Sequence, residues 1–245
     1  FAVVIAVTFI ISAIITCLNV KERVETPKNA EKVSFKQTLN IIRKNDQLLV
    51  FIGIVLGMNL IMQISGSMAI YYFTYVVGKE SLFSVYQAFA GIAEISGLVL
   101  LPILTKKIGR EDVFKFGSIL PIAGFLLLFV AGIVAPQNAL FIGMAGAILK
   151  LGSGFLLGST TIMLADVVDY GEFKLGTRTE SIVFSVQTLL VKGASAVAGW
   201  LVGVGLSLVG YVAGEVQSAT TILGMRVIMI WIPIVCAIVM YTIYK

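Results

Sequence analysis

The sequence predicts an all-α integral membrane protein, and three observations carry that expectation. Hydrophobic residues make up 58% of its 245 residues, charged residues only 13%, and the apolar positions gather into seven runs long enough to cross a bilayer. A mean hydropathy of +1.01 lies outside the range of soluble globular domains. Backbone amides left unpaired in hydrocarbon cost several kcal/mol each, and a helix pairs them within one segment, so about 20 apolar residues at 1.5 Å each cover a core about 30 Å thick.

The runs cover residues 1–20, 47–77, 82–105, 113–134, 138–164, 182–212 and 221–244. The second and sixth exceed the core thickness and are expected to tilt or to project into water. Phe1 is not a start methionine, and residues 1–20 lack the charged leader and small-residue cleavage site of a signal peptide, so the chain reads as a fragment beginning in or just before a membrane helix.

Connections orient the spans, because Lys and Arg accumulate on the cytoplasmic side of membrane proteins. Residues 21–46 hold Lys21, Arg23, Lys28, Lys32, Lys36, Arg43 and Lys44, and the third connection adds Lys106, Lys107, Arg110 and Lys115. Lys174, Arg178 and Lys245 fall on the same side when the spans alternate, opposite Lys79, the Ala135–Asn138 turn and the loop that carries Glu215. The chain is therefore expected to start outside and end in the cytoplasm of a plasma (inner) membrane. Within residues 21–46, Ser34 and Gln37 form a capping-box pattern, and Phe35, Leu39 and Ile42 share a face opposite Lys36 and Arg43. That pattern predicts a short amphipathic helix along the inner membrane surface, or else a solvated linker.

Composition also excludes. The chain has no histidine, and Cys17 and Cys236 lie in separate apolar runs, so neither metal-ligand nor disulfide spacing exists and no metal or cofactor is expected. The net charge of +5 is distributed between apolar segments rather than over one solvated face, which argues against nucleic acid as a partner. No nucleophile and base pair is evident, so the chain is not expected to be an enzyme. Seven spans also describe a receptor, but the last span has no lysine before its final residue, as a retinal protein would require.

A charge at the centre of a membrane helix costs about 2.5–3.5 kcal/mol on insertion scales and so calls for a partner, a cavity or a function. Glu94, Lys150 and Lys192 are the three candidates. Ser181, Ser185, Thr188, Lys192, Ser195 and Gly199 repeat at spacings of 4, 3, 4, 3 and 4, one continuous polar and small face with Gln187 beside it. Such a face suits a hydrated cavity holding a polyhydroxylated or anionic ligand, the alternative being a tight interhelical seam. Asn59, Gln63, Ser67 and Thr74 make a weaker stripe, and Gln87, Gly91, Glu94 and Gly97 a comparable one. Glu94 and Lys150, opposite in sign and similar in depth, are expected to pair; the rival reading makes Glu94 a ligand of a coupling ion or proton.

Residues 165–180, ADVVDYGEFKLGTRTE, join the fifth span to the sixth. Asp166 and Asp169 at a helix C-terminus oppose its dipole and need cationic partners, which Lys174 and Arg178 are near enough in sequence to supply. The cluster suits a cytoplasmic gate of ion pairs, or an ordinary turn broken by Gly171 and Gly176.

LADVVDYGEFKLGTRTESIVFSVQTLLVKGASA, with KNDQLL at 44–49 and AIYYFTYVVG at 69–78, resembles the glycoside-pentoside-hexuronide:cation symporters, the melibiose carrier family within the major facilitator fold. The resemblance implies a major facilitator-type C-terminal six-helix bundle over residues 47–245, preceded by the last helix of the N-terminal half (1–20) and the cytoplasmic middle loop (21–46). It implies coupling of sodium or protons to uptake of a sugar or glycoside, with the main cation site in the N-terminal half of the same carrier. It carries Lys192 onto a lysine near the cation-site carboxylates, Gln187 and Thr188 onto positions beside the sugar, and Asp166, Asp169, Glu172 and Arg178 onto the cytoplasmic gate. Two departures stand out: Leu157 occupies the place of a tryptophan that packs against melibiose, and Glu94 and Lys150 stand where the family has neutral amides. A carrier of another solute such as a lipid or organic anion, and a channel or receptor, are the alternatives.

Overall fold

Each predicted run contains a helix in the computed structural model, which describes residues 2–20, 35–177 and 180–245, although the sixth ends at Leu208 and residues 209–212 of that run lie in the turn and loop that follow. Contacts divide the chain into two compact units, Phe1–Thr38 and Leu39–Lys245. In the first, α1 (Ala2–Asn19) is exposed along its whole length. Its polar side chains turn back on its own backbone: Thr8 and Thr16 donate to the carbonyls of Val4 and Ser12 at 2.8 and 2.9 Å, and Asn19 to that of Ile15 at 2.8 Å. This is how an apolar span hides its hydroxyls from hydrocarbon.

α2 (Phe35–Lys44) straddles the two units. Ser34 of the expected capping box lies outside the described residues. In the second unit Ile41 and Ile42 pack against Leu48, Phe51 and Val55, whereas Leu39, expected on the apolar face, is exposed. The reason is Asn45, which breaks the helix and folds the last turn of α2 down onto the bundle.

α3 (Asp46–Tyr71) runs on into a π-helical segment, Tyr72–Val76. Asn45 caps it, accepting a hydrogen bond from the Leu48 amide at 3.0 Å. α4 (Ser81–Ile108), α5 (Arg110–Val134), α6 (Ala139–Leu175) and α7 (Glu180–Leu208) follow, and α8 (Ala219–Arg226), a π segment (Val227–Trp231) and α9 (Ile232–Tyr244) together make the last span. α6 is the hub, packed between α4 and α5, while α3 lies against both α7 and α9.

The α4–α6 crossing is close because it is built on glycine. A Cβ on Gly97 would sit 2.6 Å from the Leu151 carbonyl, and one on Gly154 would strike the carbonyl of Glu94, so neither position accepts a side chain without the backbones parting.

The largest departure from expectation is α6. Residues 165–175, read from sequence as part of the connection, are helical, and α6 reaches 37 residues, about 55 Å. Gly171 does not break it but lies buried within it. The stop is Gly176, at φ +72, whose amide bonds the Glu172 carbonyl at 2.9 Å. The helix therefore outruns the hydrocarbon and carries its acidic residues beyond the apolar core.

Candidate functional site

The face Ser181, Ser185, Thr188, Lys192, Ser195 and Gly199 is exposed at every position, while Ile182, Val183, Val186, Ala194, Ala198, Val202 and Leu206 bury the other side of α7. Thr188 and Lys192 line an open depression with Ser185, Phe184 and Leu189. Gln187 is half-buried and outside that lining. The hydroxyls of Ser185 and Thr188 donate to the carbonyls of Ser181 and Phe184 at 2.7 and 3.0 Å, which keeps their lone pairs available outward. Among the described residues Lys192 makes no hydrogen bond or ion pair. The exposed face thus offers one ammonium and several acceptors.

Glu94 on α4 and Lys150 on α6 meet: Lys150 Nζ is 3.2 and 3.3 Å from the two carboxylate oxygens, with the side chains 25% and 21% exposed.

At the basic end the partners differ from those expected. Asp166 pairs with Arg110 at the start of α5, 3.2 Å away, and Lys174 takes another partner. Lys174 reaches Asp46 at the start of α3, 2.5 Å away, and Tyr170 donates to the same carboxylate at 2.9 Å. The cause is the continued helix: Tyr170 and Lys174, four residues apart, share a face directed at α3, and Lys174 Nζ lies 5.4 Å from the Tyr170 ring centroid. Asp169 and Glu172 are exposed on the last turns of α6, and Arg178 lies outside the described residues. Between these pairs opens a cavity of about 420 Å³ lined by Gln47, Thr105, Arg110, Ser159, Asp166 and Tyr170 among others.

Several residues in this arrangement drew no notice from sequence. Arg110 counted only as a topology charge, and Asp46 as part of a resemblance. Arg226 is the sole charge of the last span before Lys245, and no motif around it signals a role. Its Nη2 donates to the Gly132 carbonyl at 3.2 Å, in the last turn of α5, where a cation meets the negative end of the helix dipole. At that same end Tyr211 donates to the Tyr75 hydroxyl at 3.2 Å, and its ring packs edge-on against Tyr71 and Tyr75 at 5.4 and 5.3 Å. Donating that bond pushes the Tyr211 phenol up to about 12, since ionisation would forfeit it.

The sequence profile of the MFS/sugar transport proteins matches residues 1–245. The chain belongs to the MFS/sugar transport family. Family membership agrees with the resemblance carried by the DYGEFK block, and with seven helices able to cross a membrane it makes the chain a multi-pass membrane protein of a transport family, not of an enzyme family. Similar family proteins include the isoprimeverose transporter of Lactiplantibacillus pentosus, 32% identical over 96% of this chain and 48% of that protein. The raffinose carrier protein of Pediococcus pentosaceus is 30% identical over 91% of this chain and 35% of its own length. The glucuronide carrier protein homolog of Escherichia coli (strain K12) is 28% identical over 85% of the chain and 46% of the relative. The chain spans about half the length, or less, of the curated relatives it matches.

Proposed function

We propose that this chain is the C-terminal part of a sodium- or proton-coupled sugar or glycoside symporter that works by alternating access. The observation that carries the reading is the outward face of α7: an unbroken row of hydroxyls, glycine and one ammonium is exposed where a lipid-facing helix would be apolar. Names of the relatives, a transporter of isoprimeverose and a carrier of raffinose, support a sugar as solute. An N-terminal bundle of the same carrier faces α7 in this reading. Thr188 and Gln187 bind sugar hydroxyls, and Lys192 ties α7 to carboxylates of the other half, where the coupling cation binds.

Coupling follows from linkage: cation and sugar each raise the other's affinity by the same factor. The basic end lies in the cytoplasm, held there by its lysines and arginines against the inner leaflet's lipid headgroups. Arg110–Asp166 and Asp46–Lys174, with Asp169, Glu172 and Arg178, form the cytoplasmic gate, closing in one state and parting in the other.

Uptake of labelled glycosides into vesicles, with an imposed sodium or proton gradient, tests this. Accumulation above the external concentration that collapses with the gradient is the expected result. Flux that only equilibrates the sugar would point to a channel instead, and binding without flux to a receptor.

A further inference from the structure

Glu94 and Lys150 sit near the middle of the apolar stretches of α4 and α6, at a crossing whose glycines bring the two backbones into direct contact. Their position is therefore fixed. Yet the pair is not sealed: about a quarter of each side chain is open. An ion pair open to lipid tails carries a large desolvation penalty with no compensating water, so the open side faces a hydrated space. The surroundings on that side are consistent with this. Polar side chains are exposed on these faces, Thr161 on the Lys150 face of α6 and Gln87 on the Glu94 face of α4, beside exposed Leu157 and Leu98.

The chemistry of the open side is specific. Lys150 Nζ directs its bonds at both carboxylate oxygens and keeps one N–H spare, while each oxygen keeps lone-pair capacity. A donor and an acceptor thus stand a few ångströms apart with no net charge. That arrangement matches two adjacent hydroxyls, one giving and one accepting, and offers no net attraction to an ion.

We propose that Glu94 and Lys150 are a specificity-determining pair that contacts the transported solute, hydrogen-bonding adjacent hydroxyls of a neutral polyhydroxylated ligand. The proposal rests on the transport reading above and adds to it a second contact point, on α4 and α6 rather than α7.

The test expresses the protein from its own gene, at its natural length, in cells lacking other carriers, and measures KM for a panel of neutral glycosides and their single-deoxy analogues together with the activation constant for the coupling cation. The informative variant is the swap, Glu94→Lys with Lys150→Glu, which keeps the ion pair while exchanging donor and acceptor. It is expected to reach the membrane at the wild-type level and melt at the wild-type temperature. KM for at least one glycoside should rise about tenfold or more, with the order of preference among deoxy analogues changed and the cation constant unmoved. A swap that restores wild-type KM for every solute makes the pair structural and overturns the proposal; so does a shifted cation constant at constant KM, which assigns Glu94 to the coupling ion. Should the swap fail to reach the membrane, Glu94→Gln, close in shape and keeping one acceptor, is read for the same KM shift, and its absence counts equally against the pair. Failure of the wild type to move any glycoside is a different result, which removes the transport reading itself.

Discussion

Asn45 joins two distant parts of the chain with one amide. Its oxygen caps α3, and its Nδ2 reaches the Val167 carbonyl of α6 at 3.3 Å, 122 residues away, with the side chain wholly buried. Asn45→Ala loses the cap and the tie together and should lower stability by about 1–2 kcal/mol, read as a fall in melting temperature in detergent; an unchanged midpoint would show that water or a neighbour replaces both bonds. Gly97→Ala is a second expectation at this scale. The added methyl meets a backbone carbonyl, which cannot rotate away, so the substitution should cost about 1–3 kcal/mol and lower the yield of folded protein. The two residues differ in how far sequence could reveal them. An asparagine before an apolar run is a recognisable cap, but its second bond has no local signature. Glu94 and Lys150 were readable as partners because a charge in hydrocarbon demands one, whereas Asp166 sits in solvent, where helix ends decide the partner and Arg110 left no sign of itself.

At the scale of elements, the helices and their order followed from apolar run length alone, since in hydrocarbon an unpaired backbone costs too much for any other outcome. Their ends did not. Beyond the bilayer that constraint vanishes, and residues 165–175 are polar enough to read as a loop while forming the last turns of α6. The extension matters because it brings Lys174 and Tyr170 to Asp46 and Asp166 to Arg110, linking α6 to the starts of α3 and α5. All four charged side chains of these pairs are at least 40% exposed, so each pair is weak and screened by salt, as the proposed gate, opening on every cycle, requires. Asp166→Asn and Lys174→Gln should leave the melting temperature within a few degrees of wild type yet change the rate of transport. Raising ionic strength should reproduce part of that change in the wild type and less of it in the variants. Melting that falls as steeply as for Gly97→Ala would make the pairs structural ties.

For the molecule as a whole, the decisive question is what covers the outward face of α7. Exposure alone is ambiguous, since Ile119 on α5 and Leu223 on α8 are also exposed, at 53% and 61%, and their chemistry suits lipid. The distinction is between hydrated and greasy exposure, and a thiol reports it directly because a charged maleimide reacts only where water reaches. Native Cys17 and Cys236 are first replaced by serine, the former being exposed. Ser185→Cys and Ser195→Cys, one turn or less from Thr188 and Lys192 along the same face, should then label readily in intact membranes, and a transported glycoside should slow the reaction at one or both. Ile119→Cys and Leu223→Cys should stay unlabelled until detergent strips the lipid. If Ser195→Cys behaves like Ile119→Cys, the hydroxyl row lies against lipid or a dry seam, and Lys192 has no watery neighbour through which to engage a cation site. A protected, hydrated row would place that lysine in the space where a second bundle, a sugar and a coupling ion can all meet it.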